Sequence, residues 1–208
     1  MKKHAIFSLL GGVVIWATSA ACATAGSRTD LAHLHAGVES RPPIGWVQFC
    51  ADNKGDCQAK PQGSGQVTLT DSSWRELVDV NLRFNKSIAP VTDQDQYGVV
   101  ERWTYAKTGK GDCEDYVLEK RRELAKLGWP LSALLITVVL DKEGGGHAVL
   151  TVMTNRGEFV LDNQTDAIHR WSDSGLTFIK RQSPSNPNVW LDLGRMLGRP
   201  EVVTATIR

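Results

Sequence analysis

At Gly128-Trp129-Pro130 the residue pattern changes period, and no other feature constrains the fold of this chain as much. Before that point apolar residues recur at helical steps: Trp74, Leu77, Val78 and Phe84 in one stretch, and Val117, Leu124 and Leu127 in another. That spacing marks one face of an amphipathic helix. Thr70 or Asp71 can cap the first helix, and Gly128 with Pro130 stops the second. After the boundary the runs are short and β-branched. Residues 134–140, 147–153 and 158–162 read as strands, with Thr154-Asn155-Arg156-Gly157 as a tight turn between the last two. Further β-prone stretches lie at 176–180 and 190–193. Helices first and an antiparallel sheet afterwards predict a single α+β domain. Upstream, residues 42–57 with Trp46, Val47 and Phe49 read as a short strand or extended piece. Residues 93–97 read as a polar turn, 99–105 as a short helix or ordered loop, and 26–40 as a loose polar leader.

The 208 residues suffice for one well-cored domain and are too few for two comfortable ones. The net charge is +1 and there is no long basic run, so nothing in the sequence points to a nucleic-acid partner. The first residues carry an export signal. Lys2 and Lys3 precede an uncharged apolar stretch at 6–16, and Ala23-Thr24-Ala25 stands ahead of Gly26. This is a signal-peptide pattern over residues 1–25, too short and wrongly flanked for a spanning helix, with the mature domain at 26–208. Ser19-Ala20-Ala21-Cys22 loosely matches a lipoprotein box but lacks its leading Leu, so lipidation is the weaker reading.

Export changes what the four cysteines mean. Cys22 falls in the leader. Cys50 and Cys57 flank a loop with Asn53, Gly55 and Asp56, and in an oxidising compartment such a pair forms a disulfide. Cys113 is left unpaired, either as a buried inert thiol or as a reactive one. It sits where a helix begins, behind Gly109-Lys110-Gly111, and the free N–H groups and positive dipole end of a helix favour a thiolate. His147 and Asp162 strengthen the reactive reading. If the hairpin turns through Asn155-Arg156, Asp162 falls opposite Val149 and becomes a diagonal neighbour of His147 on one face. A histidine oriented by a carboxylate is what thiol activation requires. His33 and His35 in the leader read as solvated, His169 as structural, and no His/Cys cluster has zinc spacing.

Three runs together carry a resemblance: Gly111-Asp112-Cys113-Glu114-Asp115-Tyr116, then Gly146-His147-Ala148-Val149-Leu150, then Val160-Leu161-Asp162-Asn163. They resemble the bacterial transglutaminase-like cysteine peptidases, a group that includes LapG-type periplasmic proteases. The resemblance implies a papain-like, transglutaminase-like core and a Cys113–His147–Asp162 triad. It implies a calcium site built from Asp112, Glu114 and Asp115. It also implies a protein substrate in the periplasm or at the cell surface, such as a biofilm adhesin, and an inner-membrane regulatory receptor. The segment Trp103-Thr104-Tyr105-Ala106-Lys107 is shorter than the Trp-x-Thr-Pro-x-Glu run of LapG-type members. That departure bears on the substrate and the cyclic-di-GMP receptor and leaves the triad untouched.

Physical chemistry points to the same cation. Three uncompensated carboxylates beside a thiol raise its pKa, and oxygen-only ligands suit calcium better than zinc. Two other readings stay open from sequence: a transglutaminase-type acyltransferase, and a non-catalytic calcium- or partner-binding module of the same fold. Trp74, Trp103, Trp129, Trp171 and Trp190 could line a peptide groove or simply fill the core.

Overall fold

The computed structural model describes residues 33–58 and 65–197. The expected signal peptide, its expected cleavage site and the loose lipoprotein-box match fall on residues outside those described. In chain order the elements are β1 (Glu39–Ser40), α1 (Ile44–Asp52), α2 (Asp71–Ser87), β2 (Ala89–Pro90), α3 (Asp93–Tyr97), β3 (Lys110–Gly111) and α4 (Cys113–Lys126). There follow β4 (Leu134–Leu140), β5 (Gly146–Thr154), β6 (Gly157–Leu161), β7 (His169–Arg170), β8 (Thr177–Gln182) and β9 (Trp190–Leu197). Seven strands form one antiparallel sheet in the order β1-β9-β8-β4-β5-β6-β7, while β2 and β3 make a short parallel pair. The architecture is α+β. Among the described residues no helix is long and apolar enough to cross a membrane.

The helices cover one sheet face. Leu77 and Val80 of α2 and Val117, Leu118 and Leu124 of α4 share a core with Leu134, Ile136, Ala148, Leu150, Val152, Phe159 and Leu161. A second core lies on the other face, where Val139, Val149, Val160 and Phe178 meet Leu34, Trp171, Leu176 and Leu193. Strand side chains alternate between faces, so two covered faces explain the nearly unbroken apolar run of β5. Most of the tryptophans belong to this packing: Trp103, Trp129, Trp171 and Trp190 are buried, and Trp74 sits edge-on to Phe159.

α2 begins as its sequence predicts. Thr70 accepts the Ser73 N–H and Ser73 Oγ accepts the Thr70 N–H, a reciprocal capping box. Thr70→Ala is expected to cost about 1 kcal/mol, read as a lower urea midpoint at unchanged m.

Three expectations change. Residues 93–97 form the short helix α3, capped by Thr92, rather than a turn. Residues 44–52 form a helix rather than an extended piece: Trp46 and Phe49 stack on one side while Ile44 and Val47 face outward. The Cys50–Cys57 disulfide then closes the end of α1, as expected. A Cβ on Gly45 would lie 2.2 Å from the Trp103 indole, so this glycine lets α1 and Trp103 pack together. The described end of the leader is also not loose. Leu34 is buried, its N–H donates to Glu158 Oε1 at 3.1 Å, and its carbonyl accepts from Arg181 at 3.1 Å. Arg181 and fully buried Glu158 pair at 2.5 Å, and His33 stands 3.6 Å from the same carboxylate rather than in open solvent.

Candidate active site

Two structural units meet at the site. Cys113 is the first residue of α4, with Asp112 at the N-cap, and α4 packs on β5 and against α2. His147 opens β5, and Asp162 stands immediately after β6. Gly157 has φ 106°, and the hairpin turns through Asn155-Arg156 with Thr154 opposite Gly157 and Leu150 opposite Leu161. This register carries Asp162 to His147. Nε2 of the ring lies 2.8 Å from Asp162 Oδ1, and both residues are buried. The Gln164 N–H also donates to Oδ1, at 3.0 Å. Burial acts to raise the Asp162 carboxyl. The His147 hydrogen bond and charge, the Gln164 amide and the Lys120 ammonium outweigh it, and its pKa stays below the usual carboxylate range.

Cys113 and His147 both line two clefts, of about 410 and about 380 Å³. The first is lined also by Pro90, Val91, Thr92, Asp95, Asn163 and Gln164. The second carries Ile44, Trp103 and Val138, with Glu101 and Lys180.

The electrostatics at Cys113 differ from the helix-start expectation. Burial pushes the thiol well above its ordinary pKa, and Glu114 and Asp112 push the same way. The thiol donates to Glu114 Oε2 at 3.2 Å. The Ala148 N–H facing the sulfur favours the thiolate but is outweighed. Burial, with the nearby carboxylates adding to it, therefore decides against the thiolate at this helix start.

The acid cluster is larger than the sequence indicated. Asp93, the first residue of α3, joins Asp112 and Glu114: one oxygen from each lies within 4.8 Å of the others. Asp93 is buried, its N–H donates to Asp112 Oδ2 at 3.1 Å, and its own Oδ2 accepts the Arg102 N–H. Asp115 is fully buried beside them. Its Oδ1 accepts the Thr104 N–H at 2.8 Å, and a Cβ on Gly111 would fall 2.5 Å from its Oδ2. Asp112 Oδ1, Glu114 Oε1 and Asp115 Oδ2 are buried without a hydrogen-bond partner. Burial raises Asp93, Asp115 (to about 8) and Glu114, and the Asp112 charge adds to each shift. Orphaned buried carboxylate oxygens on converging acids fit a hard divalent cation. Of the expected ligands, Asp112 and Glu114 come together with Asp93, while Asp115 stands beside this group with one oxygen free.

Residues 36–196 match the family described as bacterial transglutaminase-like cysteine proteinase. The chain belongs to this family. Among solved structures the fold is similar to Legionella pneumophila LapG in its calcium-bound form. There the identity is 21%, the TM-score is 0.51, and the alignment covers 77% of this chain and 86% of that one. A second LapG structure aligns at 22% identity over 72% of this chain and 81% of that one, with a TM-score of 0.48. No curated protein matches the sequence. The proteinase is thus a cysteine peptidase by family, with a transglutaminase-like α+β fold.

Proposed function

We propose that this proteinase is an exported protease that cleaves a periplasmic or surface protein through a Cys113–His147–Asp162 triad. The observation that carries this reading is the buried His147–Asp162 contact at 2.8 Å, with His147 lining the same two clefts as the free Cys113 thiol. With Nε2–H held by Asp162, Nδ1 is the ring nitrogen left to accept the Cys113 proton. The thiolate attacks the scissile carbonyl, and His147 returns the proton to the leaving amine. Water then releases the thioacyl chain, with His147 again as base. The cleft with Ile44, Trp103 and Val138 seats one side of the substrate chain and the cleft with Thr92, Asn163 and Gln164 the other.

Asp93, Asp112 and Glu114, with Asp115 alongside, are the residues that would hold calcium. When bound, calcium supplies positive charge that offsets the acids now opposing the Cys113 thiolate. The calcium-bound form of the similar LapG structure supports the choice of ion. The Cys50–Cys57 disulfide and the signal-peptide pattern support a periplasmic location. A surface adhesin is the proposed substrate class, and an inner-membrane receptor the proposed regulatory partner.

Incubating the calcium-loaded protein with surface proteins and a labelled primary amine separates hydrolysis from transamidation. The expected result is new chain termini without label. Isopeptide-linked amine on uncut chains would overturn the protease reading in favour of a transglutaminase.

A further inference from the structure

Residues 102–105, between α3 and β3, belong to no helix or strand, yet they join the acid cluster to the disulfide-closed end of α1. The Arg102 N–H donates to Asp93 Oδ2, and the Thr104 N–H donates to Asp115 Oδ1 at 2.8 Å. Each bond ties one oxygen of an acid, and on Asp115 the other oxygen, Oδ2, is buried and unpartnered. The side chains of the same segment reach α1. Trp103 packs edge-on to Trp46 and Tyr105 edge-on to Phe49. The Tyr105 hydroxyl donates to Asp56 Oδ2 at 3.1 Å. Asp56 lies in the single turn Lys54–Cys57, which the Cys50–Cys57 disulfide fastens to α1. Asn188 holds the same turn, its amide donating to the Cys57 carbonyl at 2.8 Å. Elsewhere α1 and segment 102–105 together line a cavity of about 280 Å³, so they are joined at points rather than packed throughout.

We infer that Tyr105 and Asp56 are positioning residues for the calcium acids: they tie the segment that orients Asp93 and Asp115 to the disulfide-closed end of α1. This rests on the calcium reading above. Ionised acids converging on one point repel, and unfastened they would turn apart. A carboxylate with one oxygen held by a backbone N–H keeps the other aimed, and groups that orient ligands in this way tune metal affinity. Here the N–H groups are carried by an irregular segment, so the anchor of that segment decides how firmly they hold. The Tyr105 ring is packed from a second side by Arg122 of α4, whose guanidinium carbon lies 3.8 Å from the ring centroid. Deleting the hydroxyl alone therefore leaves the ring's packing in place and cuts only the tie to Asp56.

Calorimetric titration of EGTA-stripped protein with calcium chloride, without substrate, tests this. Tyr105→Phe is expected to weaken calcium binding by about tenfold, the low end of the range for groups that orient metal ligands. Asp56→Ala is expected to match it. Asp56→Asn keeps an acceptor for the hydroxyl and is expected to bind as wild type does. Thr70→Ala also loses a hydrogen bond, at the start of α2, and is expected to leave the affinity unchanged. In the double variant Cys50→Ser, Cys57→Ser the turn is unfastened, and adding Tyr105→Phe there is expected to cost little more, because both changes cut one route. Unchanged affinity in Tyr105→Phe overturns the inference, as does an equal loss in Thr70→Ala, which would make the effect one of general stability. If the double serine variant does not fold, the single variants decide alone. A wild type that takes up no calcium overturns the calcium reading and this inference with it, whereas tight wild-type binding unmoved by Tyr105→Phe overturns this inference only.

Discussion

Cys113→Ala is expected to abolish cleavage, and His147→Ala to lower it by about three decades or more. Both losses follow from the sharing of one site by a helix-start thiol and a carboxylate-oriented imidazole. The alanine variants leave the scaffold in place, because Cys113 is only partly buried and His147 lies at the end of β5 rather than in its middle. Asp162→Asn is expected to cost less than His147→Ala, since a poorly held ring still samples the productive pose. Initial rates of product formation, with melting curves confirming the fold of each variant, check the order. Near-normal cleavage by Cys113→Ala would falsify the mechanism outright.

Chelation should produce the second large effect, and its size should depend on pH. The Asp115 carboxyl sits at about 8, with Glu114 and Asp93 also raised by burial and by Asp112. These are acids whose folded pKa lies above the unfolded value. Below the ordinary carboxylate pKa they are neutral in both states, and their contribution to stability is fully present. As pH rises from about 4 the unfolded chain ionises while the fold holds its protons, so stability falls until the folded Asp115 itself ionises at about 8. The protein in excess EGTA is therefore expected to lose melting temperature steadily between those limits. Calcium competes with the protons, so its affinity should rise and its binding should release protons across the same window. Melting curves from pH 4 to 9 with EGTA, with added calcium and with added magnesium check this. Restoration by calcium and not by magnesium is the expected pattern, and Asp115→Ala should behave like the chelated protein. Identical curves and full activity in metal-free protein would reduce the acids to helix caps.

Much of this was legible in the residues because the deciding features were local. The pairing of His147 with Asp162 needed only a strand period of two and an even hairpin loop, and Asn155-Arg156 supplied it. The capping box of α2 and the glycine–proline stop of α4 are likewise short-range signals. α1 misled because Trp46, Val47 and Phe49 favour strands by propensity. Burial of Gly45, Trp46 and Phe49 against Trp103 overrode that preference. Asp93 was missed for a different reason. It belongs to a polar segment, the helix α3, far upstream of the Asp-Cys-Glu-Asp run, and the pairing of β2 with β3 brings it to Asp112. The Thr92 cap marks a helix start there, but nothing local marks a ligand. Leu34 was hidden similarly, since its partners Glu158 and Arg181 lie on distant strands.

The division of the site between α4 and the β5–β6 hairpin has a consequence for the life of the chain. Neither unit holds a complete set of reacting groups, and the docking of α4 on β5 joins them. The hairpin is built from neighbouring residues and can form early, whereas helix–sheet docking requires closure of a longer loop. The reacting groups thus come together only when α4 docks on β5, and a chain in which the hairpin alone has formed is disarmed.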